Sequence, residues 1–168
     1  MTDLSDLESR VRFLEDHLSL IQLISEYGPS VDSESSAEAA NLWIEDGTYD
    51  AGNVHGAGPQ VWRGTEDIVG MLEGPLHQTL VQRGCAHLTG IPRIKIDGDS
   101  AEGTGYSILF AYREESHDFA VLRVTATQWS FVRVHGHWRV RERINRNLDG
   151  DEAARELLRS AVARWTRH

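Results

Sequence analysis

The chain has 168 residues, 17 basic against 26 acidic, giving a formal net charge of -9 with 40% hydrophobic and 26% charged residues. That balance fits one soluble domain with a sizeable core, and the acidic excess repels phosphate backbones, which excludes nucleic acid as a natural partner. Cys85 is the only cysteine, so an intrachain disulfide and a Cys-based metal cluster are both excluded. The acidic N-terminus lacks the apolar core of a signal peptide, and no apolar run nears the ~20 residues that span a bilayer, so a cytoplasmic protein without membrane contact is expected.

From about Ser5 to Tyr27 the spacing predicts one helix. Ser5-x-x-Glu8 has the form of a capping box. Leu7, Val11, Leu14, Leu18 and Ile21 recur at intervals of three and four, and Phe13, Leu20 and Ile24 widen the stripe, so burial on more than one side is expected. Gly28-Pro29 reads as the helix end. A second helix, opened by Ser35-x-x-Glu38, is expected over Ala37 to Trp43. Gly47 to Ala51 reads as a short strand and Gly52 to Pro59 as a glycine-rich loop on a pocket rim. Val61 to Arg63 reads as an edge strand, and Thr65 as the cap of a short helix reaching Leu72.

Residues 86–96 are expected to form a strand, Asp97-Gly98-Asp99 a hairpin turn, and residues 101–112 the return strand. Residues 113–119 read as a polar connection, 120–134 as a long strand, His135-Gly136 as a tight turn and 137–147 as its partner. Asp151 to Trp165 reads as a closing helix with Leu157, Leu158, Val162 and Trp165 as its apolar positions. Helices followed by an antiparallel meander and a final helix make an α+β domain. A single domain is expected over 1–168, with its core at about 5–147 and its last helix at 151–165.

Asp32 follows the first helix and His87 opens the meander. A carboxylate beside an imidazole fixes the tautomer and makes the ring a general base. Each residue also has an ordinary structural reading: Asp32 as a turn or cap residue, His87 as a hydrogen-bonded strand histidine. His135-x-His137 falls at a hairpin tip, and no HExxH or Cys/His zinc spacing exists, so no metal is expected. Cys85 reads as a packing residue, and Trp43, Trp62, Trp129, Trp138 and Trp165 as core and interface.

The helix ending in Tyr27, the segment Val31-Asp32, the run Asn41-Leu-Trp-Ile-Glu-Asp-Gly-Thr-Tyr49, Trp62-Arg-Gly64, His87 with Ile96-Asp-Gly-Asp99, and Gly136-His-Trp-Arg-Val140 carry a resemblance. Together they resemble the SnoaL-like branch of the nuclear transport factor 2-like (NTF2-like) superfamily over roughly residues 5–147. The resemblance implies an α+β cone, in which a curved, mainly antiparallel sheet wraps N-terminal helices around an internal pocket. The pattern looks closest to scytalone dehydratase, the hexachlorocyclohexane dehydrochlorinase and the bile-acid dehydratase, which remove a proton with an Asp–His pair during elimination.

Carried over by position, the resemblance implies Asp32 and His87 as the dyad. Arg143, five residues after Trp138, would stabilise charge, and Tyr27, five residues before Asp32, would polarise an oxygen. The dehydrochlorinase has a lysine where Tyr27 stands, and the second histidine of scytalone dehydratase has no match at Phe110 or Tyr112. Trp62, Tyr49, Phe110, Tyr112 and Asn145 are the expected substrate-binding residues. The expectation is a cofactor-independent, dehydratase-like lyase or isomerase that takes a proton from a small, cyclic, largely apolar substrate and works as a homodimer or homotrimer. Polyketide-cyclase-like aldol chemistry uses the same proton removal. A non-catalytic small-molecule binder on the same scaffold would have a pocket in which Asp32 and His87 do not touch, and an interaction module would have a closed pocket and use its sheet face for oligomerisation.

Overall fold

Alternation of apolar and polar residues from Ser100 to Asn147 builds three long strands that pair in succession, and everything else is laid against them. A computed structural model describes residues 3–54, 56 and 58–165. Its elements are α1 (Leu4–Asp32), α2 (Ser36–Ala40), β1 (Trp43–Asn53), β2 (Pro59–Arg63), α3 (Gly64–Leu72), α4 (Pro75–Gln82), β3 (Cys85–Thr89), β4 (Arg93–Asp97), β5 (Ser100–Arg113), β6 (Asp118–Val134), β7 (His137–Asn147) and α5 (Glu152–Trp165). The strand order is β2-β1-β7-β6-β5-β3, with β4 also paired to β5. All pairings are antiparallel except that of β1 with β7. The result is the expected α+β architecture, a curved and unclosed mixed sheet packed on N-terminal helices.

Trp129, Phe131 and Val140 on the concave face meet Leu20, Ile24, Tyr27 and Val31 of α1, with Trp43 and Tyr49 of β1 closing the core. The β6–β7 turn forms as expected: His135 and Gly136 both take positive φ, the two-residue geometry that matches strand twist. Among the described residues no helix is long and apolar enough to cross a membrane.

Several local expectations are corrected. The first helix does not stop at Gly28-Pro29 but runs through Pro29 to Asp32. Pro29 removes a helical hydrogen bond, yet burial of Val31 and the hydrogen bonds from β3 to Asp32 hold the last turn. Gly28 serves contact rather than termination: a Cβ there would collide with the His87 carbonyl oxygen. At the other end Asp3, not Ser5, caps the helix, accepting hydrogen bonds from the Ser5 amide and hydroxyl. Only the second half of α1 is covered by the sheet, so Leu7, Val11, Phe13, Leu14 and Leu18 are exposed where burial was expected.

The second helix is a single turn ending at Ala40, because Trp43 is already the first, inward-facing residue of β1. Gly64, after Arg63, begins α3, so Thr65 lies inside the helix. The expected 86–96 strand is broken between Thr89 and Arg93, where Pro92 has no N–H to donate. The buried positions of α5 are Ala154 and Ala161, small residues that bring the helix close to the sheet. No element was expected over Pro75–Gln82, where α4 forms with proline in its first turn.

Two glycines in helices make opposite predictions. Gly28→Ala should lower the unfolding free energy by roughly 1–3 kcal/mol through overpacking against β3. Gly70→Ala, in α3 with nothing near its would-be Cβ, should raise it by roughly 0.5–1 kcal/mol through helix propensity. Urea denaturation of the two variants against wild type checks both signs.

Candidate active site

Asp32 is the last residue of α1 and His87 lies mid-strand in β3, and the two side chains meet. The Asp32 Oδ1 lies 2.6 Å from His87 Nδ1, while its Oδ2 accepts the His87 backbone N–H at 2.8 Å. The Cys85 thiol donates to the same Oδ1 at 3.4 Å. Burial works against the Asp32 charge, but the side-chain and backbone hydrogen bonds from His87 outweigh it and hold the carboxyl below its ordinary range. An ionised Asp32 requires the His87 proton on Nδ1, which leaves Nε2 as a base.

Asp32, Cys85 and His87 also bring three potential metal-ligand atoms within 4.8 Å of one another. Burial and the neighbouring Asp32 push the Cys85 thiol up to about 12. A protonated thiol and an Nδ1 already bonded to the carboxylate form a proton network, and this donor set fits a cation poorly.

A cavity of about 550 Å³ opens beside the dyad. Trp62, Met71, Leu76, Leu80, Leu109 and Leu122 supply most of its wall. Tyr27, Tyr49, Gln60, His77, His87 and Arg123 supply the polar groups, and no carboxylate lines it among the described residues. His77, from α4, packs against His87 with ring centroids 5.6 Å apart. Its Nδ1 donates to the Leu72 carbonyl at 2.9 Å, which makes Nε2 an acceptor, and that atom is buried without a partner. Burial first, and then the nearby His87, push the His77 pKa below its ordinary value.

Behind the tyrosines lies Arg143, only 2% exposed. Its guanidinium carbon sits 4.3 Å from the Tyr27 ring centre, 5.0 Å from Tyr49 and 4.3 Å from Trp129. One nitrogen donates to the Ser107 hydroxyl at 3.3 Å, and Nε and Nη1 have no partner. Aromatic faces, worth up to ~2 kcal/mol each when desolvated, take the place of a carboxylate. Burial and then Tyr49 push the Tyr27 hydroxyl up, against the pull of Arg143 and Arg123. Burial would also raise Tyr49, but Arg143, Arg123 and the Asn145 amide hold it below its usual range. Asn145 donates to the Tyr49 oxygen at 3.1 Å, leaving the phenol proton to point elsewhere.

Of the residues expected from the sequence, His87, Tyr27, Tyr49 and Trp62 line this cavity, and Asp32 is bonded to His87 behind its wall. Arg143 and Asn145 sit one layer behind it, acting on the tyrosines rather than lining the space. Phe110 and Tyr112 alternate to the opposite face from Leu109, and Tyr112 bonds His117 at 2.9 Å instead. Of the glycine-rich loop, Val54 reaches the cavity, whereas residues 55 and 57 lie outside the described residues.

Two ionisable cavity residues, His77 and Arg123, were not anticipated. His77 arrives on α4, for which Gly74-Pro75 was the available signal, proline being favoured in a first helical turn. Arg123 is the sole charge between Phe119 and Val132. It shares the inward face with Thr125, Thr127 and Trp129, and a β-bulge lies beside it: Leu109 pairs with Arg123 and Phe110 with Val121, so Leu122 is an extra residue. Consecutive residues Leu122 and Arg123 therefore both line the cavity, where strict alternation would have turned one away.

The SnoaL-like domain family model matches residues 12–144. No curated protein matches significantly. An NTF2-like protein with a cystatin-like fold from Novosphingobium aromaticivorans is 36% identical, with TM-score 0.86, covering 94% of this chain and 98% of that one. Rv3472, a protein of unknown function from Mycobacterium tuberculosis, is 20% identical with TM-score 0.70, covering 93% of both chains. The hexachlorocyclohexane dehydrochlorinase LinA-type3 from Novosphingobium barchaimii shares the fold at 17% identity and TM-score 0.65, covering 84% of this chain and 96% of that one.

The depressed pKa of His77 has a consequence for stability. An unfolded histidine takes up its proton near 6.5, whereas folded His77 resists until lower pH. Across that window the unfolded chain binds more protons, so the stability contributed by neutral His77 is complete above 6.5 and is lost as pH falls. In His77→Leu, with Gln78 still donating to the Leu72 carbonyl, unfolding free energy should fall less steeply than wild type between about pH 7.5 and about pH 5. Urea titrations across that range give the comparison, and parallel curves would refute it.

Proposed function

The chain belongs to the SnoaL-like domain family, and on that premise we propose that it is a cofactor-independent lyase or isomerase of dehydratase type, acting on a small, cyclic, largely apolar molecule. The observation that carries this reading is the 2.6 Å contact between Asp32 and His87 Nδ1 at the wall of the cavity. A non-catalytic binder has no need of a carboxylate that fixes an imidazole tautomer.

In this reading His87 Nε2 removes a proton from a carbon next to a carbonyl. The electron pair of the broken C–H bond moves into the carbonyl, and its oxygen gains charge beside the Tyr27 and Tyr49 hydroxyls. Arg143 acts through those rings, stabilising negative charge from a fixed position without entering the cavity. Collapse of the enolate expels a hydroxyl from the neighbouring carbon. The proton held on His87 leaves with it as water, which restores the base and balances the reaction. If the proton returns to a different carbon, the product is a double-bond isomer. If the enolate attacks a second carbonyl in the same molecule, the outcome is the aldol closure of a polyketide cyclase.

Asp32 is the positioning residue. Asp32→Asn keeps its shape but offers the imidazole an amide that stabilises imidazolium poorly. Both Asp32→Asn and His87→Ala should lower turnover by roughly 10²–10⁴-fold with the fold retained. The assay screens cyclic hydroxy-ketones and polyketide-like compounds for loss of water or a shifted double bond, with and without exhaustive chelation. Wild-type-like turnover in both variants, or activity that chelation abolishes and one divalent metal restores, would overturn the reading.

A homodimer or homotrimer is part of the same proposal. Leu88, Tyr106, Val121 and Val124 leave apolar surface exposed on the sheet, as do Val11, Leu14 and Leu18 on α1, more than a lone soluble chain ordinarily shows. Light scattering at micromolar concentration should give two or three times the 18.9 kDa chain mass; a monomer would exclude it.

A further inference from the structure

The arginines of the long strands are not treated alike. Arg113 pairs with Asp118, Arg133 with both Asp16 and Asp99, and Arg146 with Asp50. Arg123 of β6 has no carboxylate within ion-pair distance among the described residues, as is also true of Arg139, Arg141 and Arg143 of β7, but of these four it alone lines the cavity. It is half-buried at the cavity wall, where the neighbouring side chains are mostly apolar and none is acidic. Alternation along β6 turns it to the same face as Thr125, Thr127 and Trp129. Arg143 adds a second cation behind the same wall, and both act on the Tyr49 hydroxyl. The protein as a whole is strongly acidic, yet this cavity is lined by positive charge alone.

A partly desolvated guanidinium without a counter-ion is costly, and its planar fork matches a carboxylate in two parallel hydrogen bonds. We propose that Arg123 is the anion-recognising residue of the cavity, and that its ligand is a small cyclic, largely apolar molecule bearing a carboxylate. The carboxylate oxygens meet Arg123, and the ring packs against Trp62 and Leu109. This deepens the functional reading above and rests on the cavity being the substrate site. It assigns the substrate class as a cyclic keto acid, whose carboxylate meets Arg123 while its separate ketone serves the proton removal proposed above.

The test compares 2-naphthoate with its neutral isostere 2-naphthamide, binding followed by tryptophan fluorescence, for which Trp62 is in the wall. Wild type should bind the carboxylate about 10-fold or more tighter, as a charge-assisted pair in a dry site requires. The preference should shrink to about twofold or less in Arg123→Gln and in Arg123→Met, largely survive in Arg123→Lys, and weaken as salt rises. Equal affinities in wild type, binding of neither probe, or a preference undiminished in the Gln and Met variants would overturn the proposal. Should both neutral variants fail to fold by circular dichroism, the wild-type salt series decides, and a preference indifferent to ionic strength would overturn it. The measurement is made at equilibrium without turnover. Failure of the anion preference is therefore distinct from failure of the dyad, which is read from the turnover of the Asp32 and His87 variants.

Discussion

One carboxylate joins the helical layer to the sheet. Asp32 spends one oxygen on the His87 backbone amide and the other on its imidazole, so a single side chain sets both the position of β3 and the orientation of the ring that β3 carries. Gly28, one turn earlier, removes the Cβ that would hold the two elements apart. Structural contact and chemical contact are therefore the same contact. Moving α1 along its axis by a fraction of a turn would break the tautomeric control of His87 and unpair a strand amide together. The proline inside the helix is tolerated because the final turn is held from outside.

The electrostatics follow a comparable logic. Positive charge at the cavity is set in stiff surroundings: Arg143 between three aromatic rings, Arg123 on a bulged strand. Among the described residues no carboxylate lines the cavity, and Asp32 stands behind His87, already bonded to it. A negative charge arising in the cavity meets dipoles and cations that need no rearrangement, which is the condition under which such groups lower a barrier most. Burial, and then the nearby His87, disfavour a proton on His77.

Much of this was legible beforehand. The order of helices and strands follows from periodicity, and β7 occupies the expected residues 137–147 because its turn, His135-Gly136, is encoded locally. Asp32, His87, Tyr27, Tyr49 and Trp62 were identified from the sequence and its resemblance to a family. What escaped depends on tertiary contact or on counting along a strand. The extension of α1 past Pro29 is held by residues in β3. The exposure of Leu7 to Leu18 depends on how far the sheet reaches. Alternation from Trp129 through Thr127 and Thr125 carries Arg123 inward, but the bulge that brings Leu122 in beside it breaks that alternation and has no local signal. Arg143 does point inward, but the three rings that cover it come from α1, β1 and β6, and no local pattern reports such a convergence.

The parallel pairing of β1 with β7 bears on how the chain reaches this state. Antiparallel neighbours can zip from a turn, as β5, β6 and β7 do, but β1 has only the five-residue β2 as partner until the sheet's last strand arrives. On the ribosome, Tyr49 would wait through nearly a hundred further residues before the strand beside it is made. Closing so long a loop is slow relative to local pairing. The cavity wall that carries Tyr49 and Trp62 thus gains its β7 partner only after the segment bearing Asp32 and His87 has been made.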